Sequence, residues 1–182
     1  MKNTVLPLLL ILALALLLAA CGATEGAADD NSSDAVAYSA GAISASDPVC
    51  RVELGSTPEQ AKAAEPELTD YERANWLACD KNIGGVCGKL LVCFEQGTAS
   101  AVQWNAVTEA GGRELYDELL EELSDCYGEP AASREEQGVS SEAGLCDTAE
   151  AGWTAGGCRV GLYFAEYTEA GQAQIRYERV FD

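Results

Sequence analysis

Residues 159–181 read RVGLYFAEYTEAGQAQIRYERVF, and the way they alternate decides the fold. Val160, Leu162 and Phe164 are interleaved with Gly161, Tyr163 and Ala165, and beyond Glu169-Ala170-Gly171-Gln172 the residues Ile175 and Tyr177 are interleaved with Arg176 and Glu178. Successive side chains of a strand point to opposite faces, so a period of two marks a strand buried on one side only. Strand-like Arg159–Tyr167 and Ala173–Phe181, joined by a short glycine-containing connection, predict a half-buried antiparallel sheet. Tyr163 and Tyr167 are the aromatic residues that this alternation sends to the solvent side, which makes them the candidate binding residues.

Upstream the period changes. From Arg113 to Tyr127, Leu115, Tyr116, Leu119, Leu120, Leu123, Cys126 and Tyr127 form one apolar stripe at helical spacing. Gly128 suits the C-cap, and Pro130 prevents continuation. The other face of that helix carries Glu114, Asp117, Glu118, Glu121, Glu122 and Asp125. Lys89–Glu95 and Thr98–Trp104 flank Gln96-Gly97 and predict a hairpin. Thr57-Pro58-Glu59-Gln60 is a helix start, with Thr57 as N-cap, proline in the first turn and Gln60 completing a capping box. Thr69-Asp70-Tyr71-Glu72 repeats that logic and predicts a second short helix to about Cys79, with Tyr71, Ala74, Leu77 and Ala78 at helical spacing. Residues 131–150 are polar and rich in Ser and Glu, and predict a long loop. Helix then hairpin thus occurs twice, over 56–107 and 112–182. The expected fold class is α+β: an antiparallel sheet with packed helices, arranged as two helix–hairpin repeats and braced by disulfides.

Composition narrows the function classes. The 182 residues include 30 acidic and 11 basic side chains, for a net charge of −19, and no histidine. Clustered Lys and Arg are what phosphate contacts need, so nucleic acid is not the expected partner. Absent histidine removes Ser-His-Asp and Cys-His catalysis.

The start of the chain reads MKNTVLPLLLILALALLLAAC. Its apolar run, Val5 to Leu18, is shorter than the ~20 residues that a helix needs to span ~30 Å of hydrocarbon, and suits an export signal. Leu18-Ala19-Ala20-Cys21 resembles the lipobox of bacterial lipoproteins. The resemblance implies cleavage between Ala20 and Cys21, a diacylglyceryl thioether on Cys21, and often acylation of the new amine. It also implies that Gly22 permits sorting to an outer membrane where there is one. Each buried CH₂ contributes about 0.8 kcal/mol, so two or three chains hold firmly where one does not. The expected organisation is a removed signal peptide over 1–20, a lipid-anchored tether over 21–48, and one domain over 49–182. The tether is rich in Ala, Gly, Ser and Asp, and as a flexible coil spans roughly 28 Å. The expected location is a membrane surface facing the periplasm or the cell exterior.

Seven further cysteines, Cys50, Cys79, Cys87, Cys93, Cys126, Cys146 and Cys158, are expected to oxidise behind such a signal. Their odd number leaves one thiol free or paired between chains, and Cys146–Cys158 and Cys79–Cys87 are the local pairings expected. No C-x₂-C spacing supports zinc or a redox motif.

The two helix–hairpin units resemble, over the domain as a whole, tandem helix–sheet modules such as the outer-membrane assembly lipoprotein BamE and the β-lactamase inhibitory proteins. Gly55-Ser56-Thr57-Pro58-Glu59-Gln60 is similar to the Gly-x-Thr-x-x-Gln helix entry of those modules; the second unit lacks that motif. The resemblance implies protein binding through a sheet face.

Catalytic signals are thin. Asp80-Lys81-Asn82-Ile83-Gly84-Gly85 begins like a calcium loop, but Leu91 stands where a bidentate glutamate is needed. Asp117 with Glu121 and Glu118 with Glu122 are spaced to act as carboxylate pairs, yet read better as a solvated face. No serine has a G-x-S-x-G or S-x-x-K setting. The expected protein is a non-catalytic lipoprotein, without cofactor or metal, that binds a protein or another envelope component. The alternatives are an exported carboxylate-pair hydrolase acting on glycan and a purely structural envelope lipoprotein.

Overall fold

The computed structural model describes residues 47–109 and 111–181; the expected export signal, Cys21 and nearly all of the expected tether lie outside them. Two helices, α1 (Pro58–Ala64) and α2 (Gly112–Tyr127), accompany eight strands. These are β1 (Thr69–Asp70), β2 (Trp76–Ile83), β3 (Val86–Glu95), β4 (Thr98–Thr108), β5 (Ala132–Ser141), β6 (Gly144–Ala155), β7 (Cys158–Tyr167) and β8 (Gln172–Phe181). All eight join one antiparallel sheet in the order β1-β2-β3-β4-β8-β7-β6-β5. The chain therefore lays one meander, β1 to β4, from the first edge to the middle. After α2 it starts again at the far edge and works inward, so β8 ends beside β4.

The expected class is corrected by this architecture. The described residues form a β-rich, eight-stranded sheet with two helices, and no disulfide joins the described cysteines. Helix–hairpin repeats do not occur, because the segment expected to be a second helix is β1 and the start of β2, and the expected 131–150 loop is the β5–β6 hairpin. The physical reasons differ. Tyr71, Ala74, Leu77 and Ala78 fit a helical period over barely two turns, too few to outweigh pairing with the apolar strand β3, where Leu77 meets Val92 and Ala78 meets Leu91. Strand β5 is an edge, exposed along most of its length, charged at Arg134, Glu135 and Glu136, and bulged between Glu136 and Val139. Edge strands carry such features because they discourage pairing with other chains, and the same features imitate a loop.

The disulfide pairings fail on register. Cys146 faces Tyr167 and Cys158 faces Ala155, so these thiols sit at opposite ends of the β6–β7 ladder, roughly 30 Å apart at about 3.3 Å per residue. Cys79 pairs with Leu90 and Cys87 with Asn82, three positions along β2 from Cys79, so the two cysteines lie on opposite faces. Neither geometry closes an S–S bond, which needs Cα atoms within ~7 Å.

Where local signals were strong they correspond to elements. Thr57 caps α1, its side chain accepting from the Gln60 N–H while the Gln60 side chain accepts from the Thr57 N–H. The Gln96-Gly97 turn joins β3 to β4, with both residues at positive φ. Helix α2 buries Leu115, Tyr116, Leu119 and Leu123 against β6, β7 and β8, and the Tyr116 ring lies 5.7 Å from that of Phe164. Gly112 is what lets the helix approach: a Cβ there would stand 2.6 Å from the Cβ of Ala173.

One face of the sheet is thus the core. Leu90, Val92, Val102, Trp104, Val160, Leu162, Phe164, Ile175 and Tyr177 are buried on it, in one cluster with the apolar residues of α1 and α2 and with Val49, Val52 and Leu54. The opposite face is mostly half-buried or exposed along β3, β4, β7 and β8, with Ala165 on β7 the buried exception, and no described helix lies on it. No described helix is long and apolar enough to cross a membrane.

Candidate functional site

Three places gather polar or aromatic side chains: a buried hub at the start of the domain, the open sheet face, and a groove at the β1–β2 end.

The hub is built on Arg179. Along β8 the core-facing positions are Ala173, Ile175, Tyr177 and Arg179, so strand alternation carries a guanidinium into the interior. An isolated buried charge is untenable, and the segment before the first helix supplies its counter-charge. Asp47 Oδ2 accepts from Arg179 Nη1 at 2.6 Å, from the Tyr127 hydroxyl at 2.6 Å and from the Tyr177 hydroxyl at 2.7 Å. Asp47 Oδ1 accepts from the main-chain N–H of Val49 at 2.8 Å and of Cys50 at 3.0 Å. Arg179 Nη2 donates to the carbonyls of Val52 and Cys50. Burial, followed for Tyr127 by the Asp47 charge, pushes both phenols well above their ordinary range, so they remain O–H donors. Both charged side chains are only 2% exposed. The cluster has the residues of an acid–base site, but its ion pair is buried, and its work is to clamp the entry segment onto the last strand. Asp47 and Pro48, assigned above to the tether, therefore pack with the domain.

The open face carries both tyrosines singled out in the sequence. Tyr163 and Tyr167 project from β7 on the side opposite Leu162 and Phe164, each half-buried. Tyr163 pairs across the sheet with Arg176 on β8 and Glu150 on β6, and the Arg176 guanidinium lies 5.4 Å from its ring centroid. Tyr167 pairs with Cys146, which is buried beside it on the same face and donates weakly to the Val139 carbonyl. Burial raises the pKa of both phenols, so they stay neutral near pH 7. The result is an aromatic patch with one exposed arginine, set in a sheet face that mixes polar residues such as Gln103, Asn105 and Gln174 with apolar ones such as Leu91 and Val107.

The groove is lined by Pro58, Tyr71, Arg73, Asn75, Trp76, Phe94, Gln96 and their neighbours and encloses about 510 Å³. A second, more open cleft holds Pro48, Glu122, Asp125 and Cys126. The other α2 carboxylates stay on the solvent side of the helix, and among the described residues no set of three or more His, Cys, Asp or Glu side chains gathers as a metal ion requires.

No protein-family model, curated protein or solved structure matches the chain.

The cysteines are scattered, and their settings differ in kind. Cys87 is exposed on β3, while Cys50 is buried and accepts from the Val52 N–H through its sulfur. Burial pushes the Cys50 thiol up to about 12, and only the thiolate is nucleophilic. Treating the native protein with iodoacetamide at pH 8 is expected to label Cys87 within minutes and to leave Cys50 unmodified until the domain unfolds. Raising the pH to about 10 stays below that raised value, so it should not make Cys50 reactive; peptide mass spectrometry reads both sites. Rapid native labelling of Cys50 would show that the 47–54 segment opens.

Sequence reasoning missed the hub and the groove. A signal for the hub existed: continuing the alternation Ile175, Tyr177 by two residues puts Arg179 inside, and a buried arginine needs a carboxylate. Nothing local indicated that Asp47, in a stretch of small polar residues, supplies it. Trp76 carries no local signal, because the segment around it fits a helical period as well as a strand.

Proposed function

We propose that the protein is a lipid-anchored, non-catalytic binding domain on the exported side of a membrane, and that its open sheet face receives another protein or envelope component. The observation that carries this reading is the sheet face on which no described helix lies, with Tyr163, Tyr167 and Arg176 on it. Tyrosine and arginine dominate binding hot spots because each combines a large contact area with directional polar groups. The lipobox-like Leu18–Cys21 supports the anchor, and acyl chains on Cys21 would confine the domain to a surface where a modest affinity suffices.

The anchor and the face are tested separately. Cys21→Ser is expected to move the protein from the membrane fraction to the soluble fraction; continued sedimentation with membranes would remove the anchor reading. For the face, a photo-crosslinking amino acid in place of Tyr163 or Tyr167 is expected to give one discrete adduct in the native envelope. The same probe at Glu121, on the acidic side of α2, should give none. Equal, diffuse labelling from all three positions would count against a binding face.

A further inference from the structure

The groove at the β1–β2 end is separate from the open-face patch and has its own chemistry. Its lining includes the buried Phe94 and Leu77 together with Tyr71, 42% exposed, and the half-buried Trp76. Arg73 places its guanidinium 5.6 Å from the Trp76 ring centroid. It makes no ion pair among the described residues, whereas Lys62, Lys81, Lys89 and Arg113 all reach carboxylates. The carboxamides of Asn75 and Gln96 are exposed at the groove and have no hydrogen-bond partner among the described residues. The main chain that presents them is held in place: the Tyr71 N–H donates to the Trp76 carbonyl at 3.0 Å and the Phe94 N–H to the Asn75 carbonyl at 2.9 Å. Asn75 and Gln96 are also the two non-glycine residues at positive φ in the described chain, at 65° and 51°.

A volume of about 510 Å³ lies within the roughly 300–1,000 Å³ of small-ligand sites. What remains is to match the lining to a ligand class. An apolar ligand would cover the two carboxamides and strip them of water without offering a partner, which is unfavourable. An anion would approach a chain of net charge −19 and meet Asp70 on the groove wall. A sugar ring answers every feature: its C–H face rests on aromatic rings, and its hydroxyls both donate and accept, as a carboxamide does. We propose that this groove binds a neutral saccharide chain, with Trp76 and Tyr71 as stacking surfaces and Asn75 and Gln96 as partners for its hydroxyls. The site does not rest on the open-face reading, and either can fail without the other.

The protein supplies its own reporter. Trp104 is fully buried and Trp153 is 2% exposed, so Trp76 is the tryptophan that a groove ligand touches. The full chain in detergent is titrated with chitotetraose, maltotetraose and cellotetraose while tryptophan emission is followed. A saturable change in the millimolar range or below is expected with at least one of them. Trp76→Ala should abolish the change, and Asn75→Gly should weaken binding about tenfold. Glycine keeps the positive φ at position 75, so Asn75→Gly tests the carboxamide even if Trp76→Ala fails to fold. Tyr163→Ala should bind as well as the parent. No saturable response to any tetrasaccharide, or binding unchanged in Asn75→Gly, would overturn the proposal. A response to an uncharged peptide instead of the sugars would equally overturn it.

Discussion

Asp47→Ala is expected to destabilise the domain by about 3–5 kcal/mol, the usual penalty for leaving one member of a buried ion pair without the other. Asp47 satisfies five donors at once, from Arg179, Tyr127, Tyr177, Val49 and Cys50. Removing it strands a guanidinium that is 2% exposed beside two phenols that burial already holds in the neutral form. Domains of this size have total stabilities of ~5–15 kcal/mol, so the variant should sit near the edge of folding. The companion variant distinguishes charge from packing. Asp47→Ala combined with Arg179→Met removes both charges and should recover a large part of the loss, because an apolar pair needs no compensation. Urea unfolding of the three proteins measures this. A single variant within about 1 kcal/mol of the parent would mean that the 47–54 segment is not clamped as described.

Trp104→Ala is expected to lose a similar amount, about 3–5 kcal/mol. Trp104 is completely buried between Leu90 on β3 and Tyr177 on β8, at the seam where the two meanders meet, and its indole N–H donates to the Lys81 carbonyl at 3.2 Å. Its ring fills the space over Gly88, where an added Cβ would stand 2.5 Å from Trp104 Cε2 and 2.7 Å from the Asn105 carbonyl oxygen. Gly88→Ala should therefore also destabilise, by roughly 1–3 kcal/mol, through overpacking. Residues in contact are not additive, and Gly88→Ala should be measurably less harmful in a Trp104→Leu background than in the parent. Equal effects in both backgrounds would place the strain on the Asn105 carbonyl and not on the ring.

How much of this was legible depended on the range of the interaction. Helix α2, the capping box of α1, the Gln96-Gly97 hairpin and the β7–β8 hairpin were all readable. Each rests on contacts between residues close in sequence, and their signatures (an apolar stripe, a cap, a two-residue turn, a period of two) are local by nature. The β5–β6 hairpin was not readable, because an edge strand is polar for the same reason that a loop is. Strand β2 was not readable either, because its few apolar residues fit two periods equally well and only the presence of β3 decides between them. At the candidate sites, Tyr163 and Tyr167 followed from alternation alone, whereas Trp76 joined Arg73, Asn75 and Gln96 only once two separate connections were brought together.

The sequence by itself determined the acidic character, the two clearest hairpins and the long amphipathic helix, since these follow from composition and from neighbours a few residues apart. Tertiary structure alone decided that β8 inserts beside β4, that Asp47 meets Arg179 across 132 positions, and that none of the expected cysteine pairs comes within reach. These are pairings between distant segments, settled by which arrangement covers the most apolar surface while leaving no charge alone. No local pattern encodes that choice.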